Sequence, residues 1–384
     1  MEYKKINELT AVVTGGTPST RKNEYWDNGD IPWLQSGCCQ NCDVDSTEKY
    51  ITKEGYNNSS THMMPADTVM IALTGATAGK VGYLKFEACG NQSITGILPC
   101  ESLNQRYLFF YLLSQREKIL ADCVGGAQAH ISQSYVKNMT IPILAIKEQE
   151  QIVGELTKLS NIVSLRQEEI QQLDALIKAR FVELFGDENN SKNWDVVNIE
   201  EVADVQVGVV IKPSQYYTDK SEGVRTFRSL NIGAGFIKDN DWVYFTKEGH
   251  QKNSKSILKK DDLLIVRSGA PGTACVVTEE YAGCNAVDII IAHPDCKKVN
   301  PYYLCTFTNM PHGKKQIDEG IGGAAQQHFN VGKYNKLQLM LPPKTLQDEF
   351  VGFIKQVDKS KVAVQKALDE TQILFDSLMQ KYFG

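Results

Sequence analysis

The chain has 384 residues, 42% of them hydrophobic and 23% charged, with a net charge of −5 and an isoelectric point near 5.8. That length predicts two domains of middling size, and the composition is that of a globular protein. The acidic balance excludes a protein that coats nucleic acid by bulk attraction, so any polyanion must be held by local patches or with a partner's help.

The opening stretch MEYKKINELT lacks the apolar run of a signal peptide. The longest apolar runs, such as Asp288 to Ala292, are far too short to cross a bilayer. A soluble cytoplasmic protein without membrane contact is expected. A double-glycine loop follows at Gly15 to Ser19, then the segment Pro32-Trp33-Leu34. Cys38, Cys39 and Cys42 lie close together, but no second ligand pair recurs downstream. A zinc site would need Cys89, Cys100 or His62 brought in by the fold, and reduced thiols in a loop are the expected state. Strand-like runs come next at Asp67 to Leu73, Val81 to Leu84 and Ser93 to Leu98.

Leu73 to Lys80 reads LTGATAGK and looks like a phosphate-binding loop. Such a loop needs four residues between its first glycine and the Gly-Lys pair, then Ser or Thr for magnesium. Here only Ala76, Thr77 and Ala78 intervene, and Val81 follows Lys80. Nucleotide binding is therefore not expected. A single helical stretch is predicted at Gln105 to Leu120, then a Gly125-Gly126 turn and a short strand at Ile141 to Leu144.

The same order is then written again. Gly208 answers Gly15, VRTFRS (Val224 to Ser229) answers IPWLQS (Ile31 to Ser36), and Gly269 answers Gly75. Asn285 answers Asn91, and Ala274 stands against Lys80, so the second loop has lost its lysine. Tyr303-Leu304 answers Tyr107-Leu108 within one helical stretch, Pro301 to Ile317, and His328 answers His130. Positives gather in the second copy at Lys247, Lys252, Lys255, Lys259, Lys260, Lys297, Lys298, Lys314 and Lys315.

Each copy ends in a long helical pattern. In the first, Leu156, Val163, Ile170, Ile177 and Leu184 recur every seven residues, with Ile152, Leu159 and Leu173 in a companion row. In the second, Ile354, Leu368 and Phe375 form one row and Phe350, Val357, Val364 and Leu378 the other. That is the seam of a coiled coil. Arg166, Arg180 and Lys361 interrupt it, either snorkelling to solvent or thinning the seam where a partner packs. Thr345 is a candidate N-cap with Asp348 at the third position, Glu148 and Glu150 suit the first helix's opening turn, and Gly186 and Gly384 suit left-handed C-caps.

The expected fold is α+β: two pseudo-twofold-related, largely antiparallel modules separated by an antiparallel two-helix coiled coil. The expected boundaries are 1–146, 147–186, 187–344 and 345–384, with residues 147–186 and 345–384 as the helices. A helix of about 37 residues spans about 55 Å at 1.5 Å per residue. A rigid spacer suits a ligand with two sites at a set distance, and duplex half-sites recur at about 34–36 Å or multiples of it.

These features resemble the DNA-specificity subunits of type I restriction–modification enzymes over the whole chain. The resemblance is carried by Gly15-Gly16-Thr17-Pro18-Ser19, Pro32-Trp33-Leu34, the loop Thr74 to Lys80, the turn Gly125 to Gln128, the strand Ile141 to Leu144, and Glu148-Gln149. The second copy departs from it, with VGVVIKP, TFRS and Leu346-Gln347 in the corresponding places. The resemblance implies two target-recognition domains reading a bipartite site in double-stranded DNA, two docked modification subunits, and restriction subunits completing a nuclease. S-adenosylmethionine and ATP would sit on those partners and no cofactor here. The sequence carries no methyltransferase tetrad, metalloprotease or nucleophile-elbow motif, so no catalysis is expected. The alternative is a scaffold that bridges two identical protein partners without touching DNA.

Arg reads guanine and Asn or Gln reads adenine, while Lys, Ser and Thr mostly hold phosphate. The DNA-binding candidates in the first copy are Thr17, Ser19, Arg21, Lys22, Lys80, Gln128 and His130. In the second they are Lys212, Arg225, Arg228, Arg267, Ser268, Gln326, Gln327 and His328. Arg228 and Arg267 are preferred because apolar runs adjoin them. His130 and His328 hold equivalent places, which a structural role in the turn would equally explain. Trp33 and Phe227 are expected in the core.

Overall fold

The computed structural model describes residues 2–122, 130–321 and 329–384, and it divides into two units: Met1–Gln167 with Gln365–Gly384, and Glu168–Val364. In the first, five strands pair in the order Val12–Thr14, Ile94–Ile97, Val69–Ala72, Val81–Leu84, Cys42–Val44. All pairings are antiparallel except that of Cys42–Val44 with Val81–Leu84. A smaller sheet joins Tyr50–Ile51, Ile31–Leu34 and Cys89–Gly90, and Glu2–Lys5 pairs with Thr140–Ile143.

The central strands read as continuous apolar runs because both faces are covered. Successive side chains point to opposite faces. Val69 and Ile71 enter one core with the helix Gln105–Ser114, while Met70 and Ala72 enter a second with Leu34 and Met64. The second unit repeats the arrangement. Four strands run Ala203–Val207, Ile289–Pro294, Leu263–Val266, Ala274–Val276. Leu263 and Ile265 face one core; Leu264 and Val266 face the other. Trp33 and Phe227 are buried as expected.

Strand register corrects two pairings drawn from the sequence. Trp33 and Leu34 pair in parallel with Cys89 and Gly90, as Thr226 and Phe227 do with Asn285 and Ala286. Asn285 therefore corresponds to Cys89, and Asn91 corresponds to Val287, whose N–H bonds Phe227 as that of Asn91 bonds Leu34. Ile71 pairs with Val81 and Ile265 with Ala274, so Thr273, not Ala274, holds the place of Lys80. Insertions between the copies place identical residues out of structural register.

Each predicted single helix is broken in two: Gln105–Ser114 with Arg116–Ala121, and Pro301–Asn309 with Pro311–Ile321. In the second copy Pro311 supplies the break, since it has no N–H to continue the helix and suits a new N-terminus.

The long helices run Ile146–Phe185 and Lys344–Phe383. Within each unit they pair antiparallel. In the first, Tyr382 donates its hydroxyl to Glu155 (2.5 Å) and Arg166 bonds the Ala367 carbonyl and Thr371 hydroxyl. In the second, Lys361 reaches Asp174 (2.6 Å) and Arg180 reaches Glu349 (2.9 Å). The three charges that interrupt the seam thus tie one helix to the other.

Ile152, Leu156, Phe350, Ile354 and Val357 are buried, while Leu159, Val163, Ile170, Leu173, Ile177, Leu184, Val364, Leu368, Phe375 and Leu378 are half-buried. The deepest residues at the far ends are Phe181, Phe185, Met379 and Phe383, which the seven-residue rows miss by one position. From 152 to 181, 156 to 185, 350 to 379 and 354 to 383 the spacing is always 29, about eight turns of 3.6 residues. The buried stripe follows the straight-helix period and drifts off a strict heptad.

Each helix start is fixed by a buried glutamine. Gln149 accepts the Asn104 N–H (2.8 Å) and donates to the Leu144 carbonyl (2.9 Å). Gln347 accepts the Asn300 N–H (2.8 Å) and donates to the Pro342 carbonyl (2.8 Å). Thr345 is not the cap: the helix already begins at Lys344, and Asp348 instead accepts from Lys344 and Asn300. Gly186 has the left-handed φ of +89° expected of a C-cap.

Candidate nucleic-acid interface

In the first unit the strand Val12–Thr14 runs into Gly15 and Gly16, which lie against another stretch of backbone. The Gly16 N–H bonds Gly90 (2.8 Å), and a Cβ on Gly15 would sit 2.1 Å from the carbonyl oxygens of Gly90 and Asn91. Only glycine permits that approach. Trp33 donates its indole N–H to the Gly16 carbonyl (3.0 Å), and Trp26 meets Trp33 edge-on at 5.0 Å. The loop then turns Thr17 outward, where its hydroxyl donates to Gln92 (2.5 Å).

Beside Thr17 opens a cleft of about 740 Å³, walled by Trp26, Trp33 and Tyr50 and fringed with Asn23, Gln35, Asn91, Gln92 and Lys49. Of the sequence candidates only Thr17 lines it. Ser19 and Arg21 are exposed on the following turn. Lys22 donates to the Tyr25 hydroxyl (3.0 Å) and faces Glu24 (3.4 Å); the hydrogen bond to Tyr25 leads the effects that raise its pKa.

The glycine-rich loop closes a hairpin. Gly79 N–H and Lys80 carbonyl bond back to Ala72, and Gly75 and Gly79 both have φ of +74°. The second copy does the same with Gly269 (+88°) and Gly272 (+74°). The glycines serve left-handed turn positions. Lys80 donates to the Gln40 side chain (2.6 Å). His130 is exposed and its backbone bridges to Thr74, while the next residue, Ile131, bonds the Leu73 carbonyl. Gln128, Gln326, Gln327 and His328 lie outside the described residues.

In the second unit the arginines are engaged by the protein. Arg225 lies beside the stacked rings of Trp242 and Tyr281, 5.1 and 5.5 Å from their centroids, with Asp239 at 3.8 Å and Glu280 at 4.0 Å. Arg228 donates to the Asp241 carbonyl. Arg267 is 17% exposed, paired with Asp288, and donates from Nε to the Phe329 carbonyl (3.3 Å). The preferred pair is therefore held in place rather than presented freely, because the acid and carbonyls that hold it come from distant segments. Ser268 follows half-buried, and Lys212 is exposed at φ +43° ahead of a short turn.

The amides around the cleft were not singled out from the sequence. The available signal was position: Gln35 follows Pro32-Trp33-Leu34 and falls opposite Arg228 in the repeat. Among the described residues no group of three metal-ligating side chains is close enough to hold an ion, and Cys38, Cys39, Cys42, Cys89 and Cys100 are free thiols. Among them, too, no helix is long and apolar enough to cross a membrane.

Known proteins share this architecture. The chain is 33% identical over 169 residues to the EcoR124I/EcoR124II specificity subunit of Escherichia coli, a match covering 43% of the chain and 42% of that subunit. It is 21% identical to the MjaIX specificity subunit of Methanocaldococcus jannaschii, over 99% of the chain and 92% of the relative. In fold it is similar to the crystal structure of a type I restriction–modification S subunit from M. genitalium, with a TM-score of 0.59, 16% identity, and coverage of 100% and 96% of the two chains. The model of the type I restriction modification DNA specificity domain matches twice, at residues 1–175 and 191–371, and the chain belongs to that family of type I restriction–modification specificity subunits.

Proposed function

We propose that each unit reads one half of a bipartite duplex target, that the two long helices fix the distance between the halves, and that they also dock two modification subunits. The observation that carries this reading is the duplication. Both units have the same strand order around their central hairpin, the same buried glutamine clamp, and a share of both 40-residue helices. A ligand with two recognition points suits such a repeat.

Exposed apolar side chains on the helices support docking: Leu165 (64%), Ile373 (69%) and Leu374 (51%) in the first unit, and Val362 (71%) in the second. In this reading these side chains become buried when a partner subunit packs on the helices. Restriction subunits would join the same assembly. Methyl transfer and cleavage, with their S-adenosylmethionine and ATP, belong in this reading to the partners, and the chain itself is not catalytic.

Selection from a random duplex library, with the chain alone and with its co-expressed modification subunit, tests the proposal. A split motif of two short conserved blocks with a fixed gap is the expected product. Absence of enrichment in both samples would instead identify a scaffold that bridges protein partners.

A further inference from the structure

The cleft of the first unit has a chemistry of its own. Its described lining combines aromatic walls with the side-chain amides of Asn23, Asn28, Gln35, Asn91 and Gln92 and the charges of Glu48 and Lys49, and no arginine lines it. The amides of Gln35, Asn23 and Asn28 make no side-chain hydrogen bond among the described residues, and of these Gln35 is the one that follows directly on a buried strand. It leaves the buried pair Trp33-Leu34, whose backbone is pinned to Cys89-Gly90. Its own carbonyl accepts the Cys38 N–H (2.9 Å), which fixes its main chain at the start of a short turn. Its side chain is exposed and makes no hydrogen bond among the described residues. By contrast, Gln92 is occupied by Thr17 and the Asn91 oxygen by the Ser93 N–H (3.1 Å).

An amide held on a rigid stalk with both its donor and acceptor unspent matches one base edge in the major groove. It can donate to N7 and accept from the N6 amino group of adenine. Guanine offers only acceptors at that edge, and its bidentate planar reader, a guanidinium, is missing from the described lining, whose charged groups are Lys49 and Glu48. We propose that this cleft reads an adenine–thymine pair in one half of the target, with Gln35 as the amide that grips adenine. Lys49 and Thr20 on the same rim are placed to hold phosphate, which positions without specifying. This inference rests on the reading of the units as DNA readers.

The test compares duplex selections by the complex of the full chain with its modification subunit, carrying wild type, Gln35→Ala or Gln35→Arg. Because Gln35 is exposed, all three proteins should melt at the same temperature; if the arginine variant does not fold, the alanine variant carries the test. Wild type should show a strong adenine–thymine preference at one position of one half. Gln35→Ala should weaken that preference by about 5- to 150-fold and leave the other half unchanged. Gln35→Arg should move the preference there to guanine–cytosine. If both variants enrich the wild-type motif with unchanged base weights, the assignment of Gln35 is wrong while the units remain DNA readers. If wild type itself enriches no split motif, the reading of the units fails and this inference falls with it.

Discussion

The two units differ most where their cleft-side loops lie and least where their cores close. Gln149 and Gln347, Asn104 and Asn300, Tyr107 and Tyr303, Gly15 and Gly208, and Gly79 and Gly272 are identical in the two copies, and each is held within the fold. The tyrosines illustrate this: their hydroxyls donate to the Pro142 and Met340 carbonyls at 3.1 and 2.7 Å. At positions lining the first unit's cleft or closing the hairpin the copies diverge: Thr17 against Val210, Gln35 against Arg228, Lys80 against Thr273, Gln92 against Asp288. Residues kept in both copies of one chain therefore answer a shared folding requirement, and the changed ones are where the two units differ in what they can bind.

The largest expected effect tests the shared set. Gln149→Ala leaves the Asn104 N–H and Leu144 carbonyl without partners, and Gln347→Ala does the same to Asn300 and Pro342. Unsatisfied buried groups cost about 1–3 kcal/mol each, so each variant should lose about 2–4 kcal/mol in urea unfolding. Similar losses in both copies are expected. A neutral Gln149→Ala beside a damaging Gln347→Ala would break the equivalence.

The hairpin glycines should rank next. Gly79 and Gly272 share φ of +74°, where an alanine costs about 1–2 kcal/mol. At Gly272 the new Cβ would also lie 2.4 Å from the buried Ile317 Cδ1, against 3.2 Å from Ile119 Cγ2 at Gly79. Gly272→Ala should therefore cost about 1 kcal/mol more than Gly79→Ala, measured as the difference in unfolding midpoints. Equal costs would show that Ile317 moves aside freely.

Much of this architecture was legible in the sequence, because a repeat and a helical period survive without knowledge of contacts. The paired helices follow from the apolar rows, and the modules from the second appearance of the glycine loop. Less legible were the settings of side chains that depend on a distant partner. Arg267 reads as a free base reader until Asp288, 21 residues on, is folded against it. Arg225 reads as a free charge until the stacked rings of Trp242 and Tyr281 fold against it. Gln149 belongs to a motif that reads as the mark of a helix start, yet its task is to bond a loop 45 residues upstream. Gln35 was overlooked for the opposite reason, since its importance lies in having no partner.

Arg225 offers a smaller effect and a sharper distinction. Its guanidinium packs beside two stacked rings, so Arg225→Ala should destabilise the second unit by about 1 kcal/mol through lost cation–π packing. In a duplex selection the same variant should keep its base preferences at both halves, unlike Gln35→Arg. A changed base with an unchanged melting temperature would return Arg225 to the reading surface.

The smallest effect concerns an acid present at the same point in both helices but used in one. Asp348 accepts hydrogen bonds from Lys344 (2.5 Å) and Asn300 (2.7 Å), and these, the Lys344 bond foremost, hold its carboxyl below the ordinary range. Glu150, 198 residues earlier, is exposed and makes no hydrogen bond or ion pair among the described residues. A depressed carboxyl stabilises the fold above its unfolded pKa, about 3.9, and that stability is lost as pH falls through the lower folded value. Since the side chain is half exposed, screening reduces the contribution to a few tenths of a kcal/mol. Asp348→Asn should therefore lower stability slightly at neutral pH and flatten its decline below about pH 4, while Glu150→Gln, which removes no hydrogen bond or ion pair among the described residues, should leave the melting temperature at neutral pH unchanged. If both variants flatten that decline alike, the two helix starts are held by the same electrostatics, and only the buried glutamines remain as what anchors them.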